Sequence, residues 1–95
     1  MEQKDAFQEK LQAKLDEWQA NIDKLRAQAK EAQADQKIRY EEEIESLREQ
    51  RDEMMERLEK LQNAQGAAWN DVKGGIEKAW DNMNDSMQKA MSRFN

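Results

Sequence analysis

The sequence predicts an all-α fold: a long coiled-coil helix, then a shorter amphipathic helix returning as a helical hairpin, in an oligomer. Three observations predict it. Apolar residues recur at steps of three and four through most of residues 15–61, the period changes to eleven after Gly66, and the chain holds no proline and three glycines. Alternating steps of three and four form a heptad seam. Charged residues make up 39% of the 95 residues and the mean hydropathy is -1.29, a balance that also marks disordered chains, so the periodicity decides for helix. So short and charged a chain makes one domain at most.

The first segment, residues 1–62, carries the apolar series Phe7, Leu11, Leu15, Trp18, Ile22, Leu25, Ala29 and Ala32. Its seam resumes at Tyr40, Ile44 and Leu47 and continues through Met54, Leu58 and Leu61, with Arg51 in an apolar position. Arg51 either snorkels its head out of the seam or meets a carboxylate on a partner. Between Ala32 and Ile44 only Gln36 and Tyr40 keep register, which is a stutter near residues 33–43 that straightens or unwinds a left-handed coil. Alanines 27, 29, 32 and 34 favour helix there, so one helix is expected over residues 4–62, roughly 88 Å long at 1.5 Å per residue.

Residues 63–66 are the hinge or turn, because Gly66 tolerates the left-handed conformation that ends helices and can cap the next one. Residues 67–95 then form the amphipathic hendecad helix. Trp69, Val72, Ile76, Trp80, Met83, Met87, Met91 and Phe94 fall within an arc of roughly 100°. Beside them runs a stripe of small residues, Ala68, Gly75, Ala79, Ser86 and Ala90, which suits close approach of a neighbouring helix. Gly75 belongs to that stripe. Gly74 points to the polar side and has no such account.

The chemistry-bearing groups exclude most catalytic readings. Histidine and cysteine are absent, which removes the commonest general base near neutral pH, thiolate ligands and disulfides. The acidic cluster Glu41, Glu42, Glu43, Glu45, Glu49, Asp52, Glu53, Glu56 and Glu59 is interleaved with Arg48, Arg51, Arg57 and Lys60. Pairs such as Glu53 with Arg57 and Glu56 with Lys60 make it a salt-bridged, solvated helix face rather than a metal or acid–base site. Nucleotide loops and nucleophile elbows are missing as well. The expectation is no enzyme, no cofactor, no metal and no small-molecule substrate. A net charge of -5 argues against nucleic acid. No apolar run is long enough to span a bilayer and the start lacks a secretory leader, so a cytoplasmic location is expected.

The run Ala68-Trp69-Asn70-Asp71-Val72-Lys73-Gly74-Gly75-Ile76-Glu77-Lys78-Ala79-Trp80-Asp81, with Leu15-Asp16-Glu17-Trp18 and Ile22-Asp23-Lys24-Leu25 before it, resembles a known pattern. It is similar to small, poorly characterised bacterial coiled-coil proteins with a long charged helix and a C-terminal Ala-Trp amphipathic segment, grouped loosely with apolipoprotein-like helices. That resemblance implies a bacterial, non-enzymatic protein with a stress-related role.

Two functions follow as expectations. The first is a structural or interaction protein that self-assembles into a homo-oligomer, closed or filamentous, because a second helix of about 44 Å leaves half of the first uncovered. The second is a lipid- or membrane-surface protein working through the hendecad helix. Interfacial helices favour a basic polar face. Here Lys73, Lys78, Lys89 and Arg93 are balanced by Asp71, Glu77, Asp81 and Asp85, so self-association leads.

Overall fold

The computed structural model describes residues 2–94, and the side-chain surroundings of residues 5–93. Three helices follow one another: α1 (Glu2–Glu31), α2 (Ala34–Asn63) and α3 (Ala67–Phe94). Among the described residues there is no strand. The chain divides into two compact units, Met1–Ile44 and Glu45–Asn95, each described below by itself.

The first unit holds α1 and the beginning of α2. Leu11, Leu15, Trp18, Ile22, Leu25 and Ala29 are all buried, and their steps of four and three place them on one stripe of α1. Ile22 and Leu25 are closed off from solvent completely. The opposite face is wetted and laced by one-turn side-chain bonds: the Gln12 amide donates to Asp16 at 3.4 Å and the Gln19 amide to Asp23 at 3.0 Å. Tyr40 and Ile44 contribute the buried residues of α2 in this unit.

The single helix expected over residues 4–62 is two helices, parted at Ala32 and Gln33. The Ala32 amide donates to the Ala29 carbonyl at 3.2 Å, a tightened last turn, and the Lys37 amide donates to the Gln33 carbonyl at 2.8 Å, which opens α2. No non-glycine residue takes a positive φ there. Charges bracket the break with the signs that helix ends favour, Lys30 in the last turn of α1 and Asp35 in the first turn of α2. The break falls where the expected stutter begins. The result is three helices of 30, 30 and 28 residues instead of a long helix half-covered by a short one. Gln36, expected to hold register, is exposed, as is the whole stretch from Gln33 to Arg39.

The second unit is the remainder of α2 with α3. Leu47, Met54 and Leu61 are buried and Leu58 is half-buried. The turn at Gly66 forms where the sequence predicts it. Gly66 has φ 60, a conformation that costs side chains with a Cβ about 1–2 kcal/mol. Its carbonyl accepts from the Trp69 amide at 3.1 Å, so the same residue ends one helix connection and opens α3. The Asn63 side chain donates to the Glu59 carbonyl at 3.2 Å and finishes α2.

Register within this unit is readable from shared grooves. Arg57 stands beside Gly75; one groove is lined by Gln50, Glu53 and Arg57 from α2 and by Gly75, Ala79 and Asn82 from α3, and another by Lys60 and Val72 among others. Arg57 and Gly75 are each nine residues from Gly66, as an antiparallel hairpin centred on that glycine requires.

Candidate interaction faces

The hendecad face of α3 belongs to the second unit. Ile76, Trp80, Met83 and Met87 are buried, whereas Trp69, Val72 and Met91 at its flanks are half-buried. The side chain of Phe94 lies outside the described residues. The first residue of the face is held by a cation–π contact one turn on, with the Lys73 ammonium 5.3 Å from the Trp69 ring centroid. On the wet side Lys89 pairs with Asp85 at 3.0 Å.

The small-residue stripe is graded along the same helix. Ala68 is exposed, Gly75, Ala79 and Ser86 are half-buried, and Ala90 is fully buried. Gly75 and Ala79 line an open groove of about 380 Å³ against Glu53 and Arg57 of α2. A Cβ at Gly75 would stand 3.5 Å from the Arg57 Nη1, an ordinary contact with the end of a flexible side chain. The neighbour at Gly75 is thus a guanidinium rather than a closely approaching backbone. At Gly74 nothing lies within 4 Å.

Arg51 keeps its position in the α2 seam with its side chain 22% exposed and its head turned to its own helix. Its Nη2 and Nε reach Asp52 Oδ1 at 3.0 and 3.2 Å. That is the snorkelling geometry: aliphatic stem along the seam, charge at its edge. The acidic cluster of α2 is exposed throughout, except for half-buried Glu43. Among the described residues no group of three or more acidic side chains converges as a metal site would need. Replacing Glu42, Glu45 and Glu49 together with glutamine is therefore expected to change stability by less than about 1.5 kcal/mol, since exposed charges contribute tenths each. Urea denaturation checks this; a loss of several kcal/mol would show that the cluster supports the fold.

All sixteen buried residues are apolar, and no polar or charged side chain is buried among the described residues. Leu15, Trp18, Ile22, Leu25, Tyr40, Ile44, Leu47, Met54 and Leu61 of the expected seam are buried in the single chain, whereas Ala32 and Leu58 are half-buried. The first helix's seam, expected to be half uncovered, is thus mostly covered in the single chain. Sequence reasoning also passed over two large apolar residues left in water, Ile38 at 57% and Met55 at 54% exposure, both outside the seam. Ile38 lies in the stretch from Gln33 to Arg39 where no residue of α2 is covered. No described helix is long and apolar enough to cross a membrane. Set against protein-family models, curated proteins and solved structures, the chain matches none.

Proposed function

We propose that this chain is a non-enzymatic helical interaction protein whose partner is a further copy of itself, within the bacterial, stress-related setting that residues 68–81 suggest by resemblance. The observation that carries the reading is the opening of α2. A helix in water draws most of its stability from packing one face, and short unsupported stretches are marginal. From Ala34 to Arg39 α2 has no covered face, yet it displays Ile38 at 57% exposure. A second chain laid there supplies the missing face. Native mass across the micromolar range tests this. Dimers or larger species are expected for the wild type, and Ile38→Lys is expected to weaken association while leaving the helical circular dichroism unchanged. A monomer at every concentration would refute the reading.

A lipid surface is the second reading, favoured by the Trp80, Met83 and Met87 face of α3 and by a Gly74–Gly75 pair that no packing demands. Methionine faces repack readily against soft partners. In the single chain Trp18 and Trp80 are only 3% and 7% exposed, which supports the first reading over this one. Tryptophan emission that starts blue-shifted and does not move on zwitterionic liposomes is the expected result. Red emission that turns blue only with lipid reverses the order.

A further inference from the structure

The turn at Ala32–Gln33 differs in kind from the turn at Gly66. Gly66 is committed to its bend by a positive φ. Ala32 and Gln33 have no such commitment: neither is glycine or proline, neither has a positive φ, and alanines stand on both sides. Straightening this turn extends helix through residues that favour helix and restores the backbone bonds interrupted at the break.

The phase of the seam points the same way. Ala29, the last buried residue of α1, and Tyr40, the first of α2, are eleven residues apart. At 100° per residue that separation brings them back to within about 20° of one another on a straight helix. In a chain bent between them the two stripes have no need to agree in angle, because each helix turns its own stripe inward independently. Agreement in angle matters only when α1 and α2 are one continuous rod. The seam is therefore written for both shapes.

We propose that Ala32–Gln33 is a swap hinge: α1 and α2 join into one straight helix, and α1 transfers its apolar stripe from its own chain to a second copy of this chain. The proposal rests on the self-association reading above and specifies its geometry. Two such chains pair antiparallel about a two-fold axis at the hinge, each covering the other's α1 stripe, and exchange of an identical element is a low-cost route to dimers. The new contact is at the crossing point, where Ile38 and the uncovered opening of α2 lie.

Pulsed electron-spin distances and native mass test it. The chain contains no cysteine, so labels at Lys10→Cys and Glu42→Cys, both exposed positions, are unique. A straight helix holds the two Cα atoms, thirty-two residues apart, about 48 Å from one another, and a chain bent at residues 32–33 holds them closer. With a trace of doubly labelled chain in excess unlabelled protein, only intrachain distances are read. The population at about 48 Å is expected to grow with concentration in step with the dimer. Ala34→Pro separates the two shapes, since residue 34 is the first of α2, where proline is tolerated, but lies mid-helix in the straight form. This variant is expected to lose the long distance and to raise the dimer dissociation constant at least about a hundredfold. A dimer whose intrachain distance stays short overturns the swap and leaves self-association standing, and so does a dimer unaffected by Ala34→Pro. A chain that is monomeric throughout overturns both. If Ala34→Pro does not fold, the wild-type distance decides alone.

Discussion

Trp80→Ala is expected to lower the unfolding free energy by about 3–5 kcal/mol, the range for removing a packed aromatic and leaving a cavity. Trp80 is 7% exposed and sits on α3 between Ile76, fully buried, and Met83, 3% exposed, so its loss opens the middle of the apolar face. Small domains have only about 5–15 kcal/mol in total, so this one change removes a large share of it. Urea unfolding followed by circular dichroism measures the difference, with Trp18 and Trp69 remaining as fluorescent reporters. A loss under about 1 kcal/mol would mean that the face collapses around the vacancy or was never tightly packed.

The opposite sign is expected from the glycine pair. Gly74→Ala with Gly75→Ala should stabilise the chain by about 2 kcal/mol, because alanine is favoured over glycine by nearly 1 kcal/mol at each interior helix position. Space is available at both: nothing lies within 4 Å at Gly74, and the contact at Gly75 is 3.5 Å to the Arg57 guanidinium. For a domain of this size the thermal midpoint should rise by about 10 °C. Calorimetry checks it. A fall instead would show that Arg57 cannot yield and that the groove beside Gly75 has to stay open. The comparison of lipid or self-association activity in this variant then reveals whether the soft point in α3 serves a purpose, since stabilising substitutions often cost function where flexibility is used.

Much of the fold was legible because periodicity reports burial directly. Leu15, Trp18, Ile22, Leu25, Leu47, Met54 and Leu61 were placed on a seam by spacing alone, and they are buried. The Gly66 turn was legible for a steric reason, since glycine is the residue most at ease at φ 60. The break at Ala32–Gln33 was not, and the cause is physical. Local propensity across alanines 27–34 favours helix, the seam stays in phase across the gap, and neither glycine nor proline marks it. Local preference did not decide the outcome there. The one available signal was electrostatic, Lys30 and Asp35 having the signs suited to an ending and a beginning helix. The surroundings of Gly75 were illegible for another reason: only the antiparallel register places Arg57 there.

That the buried residues of both units are all apolar has a consequence for discrimination. A polar group sealed inside a helical interface acts as a lock, because any sliding or mismatched neighbour strands it without a hydrogen bond. Among the described residues no whole polar or charged side chain is buried; only single polar atoms, Gln28 Oε1 and Trp69 Nε1, are sealed from water, and Arg51 turns its charge to the edge. Hydrophobic contacts of similar size substitute for one another at small cost. The interior therefore supplies cohesion but little choosiness, and foreign amphipathic helices of matching length meet few internal obstacles. Under the proposed self-association, selectivity would fall to the charges outside, whose pattern along α2 meets a newcomer before any apolar contact forms. Such a filter weakens as salt is added, so mispairing with other helices becomes easier at high ionic strength even as the chain itself stays folded.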